Sequence, residues 1–77
     1  MAIYLLKDLA YLSGQSVHTL KFYLKVGVIT ETGRTPKTNF RYFDDMTLQA
    51  LSKIRVLRRK HIPLNKIKGM LKSEARQ

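Results

Sequence analysis

The chain has 77 residues, with fifteen Lys and Arg against five Asp and Glu, a net charge of +10 and no cysteine. This length suits one domain, the charge points to a polyanionic partner, and the lack of cysteine excludes disulfide staples and the usual zinc frameworks. No apolar run approaches the roughly 20 residues of a membrane helix, and "MAIYLLKDLAYL" gains charge too early for a signal peptide, so no membrane partner is expected and a reducing cytoplasm suits the chain.

The first element is a helix of two to three turns in "IYLLKDLAYLS" (residues 3–13), where Leu5, Leu6, Leu9 and Leu12 are close to helical spacing. Gly14 stands where a helix end needs a left-handed residue, and Ser16 is a good N-cap for a second helix from Val17 to about Val26. Gly27 stops it, and "VIT" begins an extended segment. In "TETGRTPKTNFRYF" (residues 30–43), Gly33, Pro36 and Asn39 punctuate β-branched and aromatic residues. That reads as two short strands joined by a loop carrying Arg34 and Lys37. Asp44 or Asp45 then caps a third helix to about Lys60, with Leu48, Leu51, Ile54 and Leu57 on one stripe. Pro63 favours the first turn of a fourth helix, to about residue 73, lined by Leu64, Ile67 and Leu71 with Met70 beside them. Charge gathers late: residues 1–29 carry +2, residues 30–61 carry +5 and residues 62–77 carry +3.

Two short helices around a tight, glycine-containing turn have helix-turn-helix spacing. At 100° per residue, Val17, Leu20 and Leu24 face one side and should pack on Leu5, Leu9 and Leu12. His18, Thr19, Phe22 and Lys25 point the other way, with Lys21 on the boundary. Such a face suits a DNA major groove. Lys bonds guanine O6 and N7, His and Thr reach base edges or phosphates, and an aromatic packs on sugar or a thymine methyl. Ser16 opens a helix N-terminus suited to a phosphate. The hairpin makes the module winged, with Arg34 and Lys37 within reach of the flanking backbone. The expected fold is therefore mostly α with a small β-hairpin wing: one winged helix-turn-helix domain (about 4–26 and 30–43) followed by two further helices (about 45–60 and 63–73).

Blander roles fit other residues. Tyr4 and Tyr11 read as packing residues, Phe43 as core, and Tyr42 as either a wing contact or packing. Arg55, Arg58, Arg59 and Lys60 read as a solvated helix face. Neither catalysis nor a cofactor is expected. The adjacent Asp44 and Asp45 are explained by capping, and His18 and His61, with no cysteine, give no familiar metal spacing.

The blocks "YLLKDLAYLSGQSVHTLKFYLKVGVI", "NFRYFDD" and "LQALSKIRVLRRKHIPLNKIKGML" together resemble the DNA-binding domain of the MerR family of bacterial transcription regulators, over roughly residues 3–72. The resemblance implies that His18 and Lys21 stand where the family usually has arginine. Phe22 and Tyr23 match its paired aromatics, the first facing DNA and the second more often packed. Phe40 and Arg41 match the wing's Tyr-Arg pair, with Arg41 expected on a phosphate. Leu24 departs from a commonly acidic position, and the softened arginines leave the family's base contacts unassigned here. Family members usually continue into a long helix that pairs two subunits. This chain ends at "KSEARQ", before such a helix, so a palindromic operator is expected only for a dimer.

The sequence thus points to sequence-specific binding of double-stranded DNA through Ser16, His18, Thr19, Lys21, Phe22, Lys25, Arg34, Lys37, Arg41 and Tyr42. Two alternatives remain open at this stage. One is an excisionase-like or architectural DNA-bending protein. The other is a basic module that docks on an acidic partner through the last two helices, residues 45–72.

Overall fold

The computed structural model describes residues 2–75, with side chains through Lys72. A short strand, β1 (Tyr4–Leu5), precedes the first helix, α1 (Leu6–Ser13). The leucine spacing implied a helix from about residue 4, and the structure corrects this. The Asp8 carboxylate accepts a hydrogen bond from the Leu5 N–H at 3.0 Å, holding Leu5 outside the first turn. Tyr4 and Leu5 are thereby free to pair with a later strand. The turn and α2 (Val17–Val26) match expectation: Gly14 has φ 73° and the Ser16 hydroxyl oxygen accepts from the Thr19 N–H at 3.0 Å.

Helix α2 ends in a Schellman motif. The Gly27 N–H bonds the Leu24 carbonyl at 3.2 Å, the Val28 N–H bonds that of Tyr23 at 3.1 Å, and Gly27 has φ 84°. Val28 and Tyr23 are both buried, supplying the apolar clasp that accompanies this motif.

Strands β2 (Gly33–Arg34) and β3 (Arg41–Phe43) form the wing, and β1 completes an antiparallel sheet in the order β1-β3-β2. Tyr4 pairs with Phe43 and Leu5 with Tyr42 on one side; Gly33 pairs with Tyr42 and Arg34 with Arg41 on the other. Arg34 therefore lies on a strand, not in the loop, because the turn closes later. The Thr35 N–H bonds the Phe40 carbonyl, the Asn39 N–H bonds the Thr35 carbonyl, and Asn39 takes φ 58°.

Asp44 caps α3 (Asp45–Arg59) by accepting from the Met46 N–H at 3.0 Å. Its end repeats the Schellman pattern: the His61 N–H bonds the Arg58 carbonyl and the Ile62 N–H bonds that of Leu57. Here the left-handed residue is His61, at φ 63°. In α4 (Leu64–Ala75), Pro63 stands just before the first turn, its carbonyl accepting from Lys66 and Ile67. The tail expectation at Arg76 and Gln77 lies outside the described residues.

Leu9, Leu20, Phe43, Ile54 and Ile67, one each from α1, α2, β3, α3 and α4, are wholly excluded from solvent. Two expected packing residues are not. Val17 and Leu12 are exposed, and Tyr23 takes their place on the inner face, since its ring covers more apolar area than a valine. Tyr11 is 87% exposed, against its assignment to packing. The inner row of α1 is Leu6, Leu9 and Ala10, spaced i, i+3, i+4, which puts Tyr11 on the opposite side. The stripes of α3 and α4 fall inward as read, with Met70 left partly in solvent.

The paired helix ends predict opposite outcomes. Gly27→Ala puts a Cβ into a left-handed residue and within 3.0 Å of the flexible Lys68 Nζ, and should cost about 1–2 kcal/mol. His61→Gly relieves the same backbone cost and should stabilise by roughly 0.5–1 kcal/mol, net of the entropy glycine adds to the unfolded chain. Urea unfolding at equilibrium reads both.

A pH effect follows from Tyr4, whose hydroxyl donates to Asp45 Oδ1 at 2.6 Å. That hydrogen bond, then burial and the carboxylate charge, raise the tyrosine pKa above its ordinary value. The contribution is full below the unfolded tyrosine pKa and lost as pH rises through the higher folded one. Between about pH 9 and 11, near the tyrosine range, the wild type should lose stability faster than Tyr4→Phe in parallel denaturation curves.

Candidate nucleic-acid interface

Helix α2 carries no acidic residue, and its two faces divide cleanly. Leu20 and Tyr23 are buried while His18, Lys21, Phe22 and Lys25 are exposed, Phe22 to 48%. The i, i+3, i+4, i+7 spacing of His18, Lys21, Phe22 and Lys25 puts them on one outward row. Phe22 and Tyr23 are tilted neighbours with centroids 6.4 Å apart, one ring outward and the other in the core. An exposed phenylalanine costs hydration without a partner, so this row has the character of a surface built to be covered.

The N-terminus of α2 is organised by Ser16 and Thr19. The Ser16 hydroxyl donates to Thr19 Oγ1 at 2.9 Å while its oxygen caps the Thr19 N–H. Thr19 is half-buried, with its own hydroxyl proton uncommitted by this pair. The N–H groups of the first turn before Thr19 have no intrahelical acceptor, and the helix dipole makes this end electropositive.

The wing holds a feature that the sequence reading passed over. Arg34 and Arg41 sit directly opposite each other on β2 and β3, a like-charge pair that destabilises a ladder unless something intervenes. Glu31 intervenes. Its carboxylate lies 3.1 Å from Arg34 Nε and 3.5 Å from Arg41 Nε. All three side chains are substantially exposed, so these pairs are screened and exchangeable. The only sequence sign of this was an acid three residues before Arg34. Strict strand alternation would put Arg41 and Phe43 on the same side, yet Arg41 is exposed and Phe43 fully buried. The strand crosses from the core edge into the projecting wing within three residues.

Lys37 is exposed at the tip of the turn. Tyr42 is half-buried, and its ring lies so close to Gly33 that a Cβ there would collide with it. Phe40, 61% exposed beside Arg41, is a second outward aromatic, matching Phe22 on α2. Among the described residues, no hydrogen bond or ion pair joins the α2 row to the wing. The structure brings together Ser16 with Thr19, and Arg34 with Arg41, and leaves His18, Lys21, Phe22, Lys25 and Lys37 as separate exposed groups, with Tyr42 half-buried. One more cation approaches the helix-turn-helix: Arg55 Nη1 comes within 3.5 Å of a Cβ position on Gly14. No cluster of three or more His, Cys, Asp or Glu that could hold a metal exists among the described residues. No helix there is long and apolar enough to cross a membrane.

Comparison with known proteins bears on this geometry. The family model described as "MerR HTH family regulatory protein" matches residues 4–74. No curated protein matches the chain. Among solved structures, a MerR-family transcriptional regulator from Bacillus cereus superposes with a TM-score of 0.84 at 18% identity, covering 91% of this chain and 52% of that one. At that identity it speaks for the fold alone. HiNmlR, a MerR family regulator lacking the sensor domain and bound to promoter DNA, gives 0.83 at 31% identity, covering 96% and 55%. The HTH-type transcriptional regulator SkgA from Caulobacter crescentus gives 0.79 at 32% identity, covering 90% and 49%. The chain thus spans about half the length of these solved proteins. The family is regulatory, not enzymatic, and the matched region is its winged helix-turn-helix. Matched over residues 4–74, the chain belongs to the MerR HTH family of regulatory proteins.

Proposed function

We propose that this chain is the sequence-specific DNA-binding module of a MerR-like transcription regulator, with α2 in a major groove and the wing on the flanking backbone. The observation that carries the reading is the outward row of His18, Lys21, Phe22 and Lys25 beside a buried Leu20 and Tyr23. The promoter-bound state of HiNmlR, a relative of the same fold at 31% identity, supports it.

Each group has a role that its chemistry allows. Lys21 and His18 offer donors to base edges, chiefly purine O6 and N7, and Phe22 offers an apolar surface for a sugar or a thymine methyl. Ser16, Thr19 and the first-turn N–H groups receive a phosphate at the helix N-terminus, while Lys25 takes one farther along. On the wing, Arg34, Lys37, Arg41 and Tyr42 meet the adjacent backbone, with phosphate oxygens exchanging for the Glu31 carboxylate. Two modules related by a twofold axis would read a palindromic operator, and one alone a half-site. The bacterial cytoplasm is where such promoter DNA lies.

Selection from random duplexes at near-physiological salt tests the reading. One enriched motif supports it; binding that only collapses with salt and enriches nothing refutes sequence-specific recognition. On the selected site, Lys21→Ala and Phe22→Ala should each weaken binding by about 5–100-fold, a range set by about 1–3 kcal/mol per base contact. Their circular dichroism should not change, because both side chains are exposed.

Glu31→Gln should act in the opposite direction. Removing a carboxylate from between Arg34 and Arg41 frees both cations and lifts its repulsion of phosphate. Affinity at low salt should rise by about two- to fivefold, as expected for exposed charges, and the gain should fade at high salt. Fluorescence anisotropy across a salt series measures it.

A further inference from the structure

Of the side-chain types in the outward row of α2, only the imidazole of His18 belongs to a class that titrates near neutral pH; lysine and phenylalanine do not. His18 is the second residue of α2, exposed, and lies one turn before Phe22 on the side that also carries Lys21. Both of its ring nitrogens are uncommitted, because no hydrogen bond or ion pair joins His18 to another described residue.

The charges on the elements around it are mostly positive. On α2 they are Lys21 and Lys25. Helix α1, which packs on α2, carries Lys7, Asp8 and Tyr11, and Arg55 of α3 reaches the turn at Gly14. Asp8 is the single carboxylate in this set, and it already accepts from the Leu5 N–H at the start of α1. On the wing, Glu31 is held between Arg34 and Arg41. The helix dipole adds further positive potential at this end of α2. No anion is thus in place to pair with a charged ring on His18, and a polyanion would supply one.

The chemistry of imidazole turns this into a choice of base. Its two nitrogens point apart, so they cannot grip one base edge together. One can turn to the groove floor while the other turns to the backbone near the helix start. The neutral ring donates from one nitrogen and accepts at the other, whereas the imidazolium donates from both. Phosphate oxygens and guanine O6 and N7 are all acceptors, while cytosine presents an N4 donor and adenine an N6 donor beside its N7. A protonated ring therefore matches a guanine edge and a phosphate at once. A neutral ring leaves one acceptor facing another.

We propose that His18 makes recognition proton-linked: in its protonated form it joins a guanine edge to a backbone phosphate, so binding takes up a proton. This deepens the reading of α2 as the recognition helix and rests on it. Phosphates favour the charged ring, so the complex holds more protons than the free protein, and affinity rises as pH falls. The preference for guanine at one operator position sharpens in the same direction.

The test uses the full chain. Duplexes are selected from a random pool at about pH 6 and about pH 8, on either side of the histidine range, at constant ionic strength. Anisotropy then measures affinity for the selected site and for a scrambled duplex. Affinity for the selected site should rise about three- to tenfold from the higher pH to the lower, as for one linked proton. Guanine should be enriched more strongly at one position at the lower pH. His18→Gln, neutral throughout, should flatten both effects, and His61→Gln should leave them intact. Calorimetry in two buffers of unequal ionisation enthalpy should show net proton uptake by the wild type. A flat pH dependence in the wild type, an undiminished rise in His18→Gln, or an equal rise on the scrambled duplex would each overturn the proposal, while an enriched motif would still support DNA recognition. Enrichment of no motif at either pH would overturn the recognition reading and this inference with it. The wild-type pH series and the proton uptake need no variant and are independent of any loss of folding.

Discussion

The whole architecture hangs on the burial of five side chains in one cluster. Leu9, Leu20, Phe43, Ile54 and Ile67 come from five different elements and leave no surface to water. A chain of 77 residues cannot build a second core, so each element must spend its best apolar residue on the same site. Helix α1 is the hub, packed against α2, α3 and β3 and joined directly to β1. Phe43 is the residue through which the wing is rooted in the core. The pairing of β1 with β3 is its second tie, since a two-stranded ribbon of β2 and β3 would be marginal in water by itself.

Around this core, precision comes from how helices end. α2 and α3 both close with Schellman motifs, so their last carbonyls are satisfied and the chain leaves in a fixed direction. For α2 this sends Val28 and Ile29 straight into the core, which clamps the far end of the outward row. At its near end Ser16 and Thr19 do the same by hydrogen bonding. The backbone beneath the outward row is thus held at both ends.

The wing shows how charge is managed on a strongly basic protein. Arg34 and Arg41 are opposed across the ladder, and one carboxylate, Glu31, is placed against both. In the free protein this offsets their repulsion. On the proposed reading, a polyanion would displace Glu31 to use the arginines. Among the described residues, the α2 row has no such internal anion.

Local chemistry in the sequence determined much of this. Gly14, Ser16 and Gly27 marked helix ends to the residue because each has a backbone or side-chain property the terminus needs, while of the two candidate caps Asp44 and Asp45 the structure uses Asp44. The stripes of α3 and α4 and the outward His18, Phe22 and Lys25 followed from helical period, whereas Lys21, read as a boundary residue, is exposed and Thr19, read as outward, is half-buried. Tertiary structure decided what period and propensity cannot carry. Tyr4 and Leu5 were drawn out of a helical pattern by a strand nearly forty residues away. Tyr23 is buried while Val17 and Leu12 stay exposed, since which of several apolar residues is buried depends on the partner's surface. Glu31 joined Arg34 to Arg41 only once β2 and β3 were in register. Local signals specify where elements begin, stop and face; long-range pairing specifies which groups meet, and charge pairing is a product of that meeting.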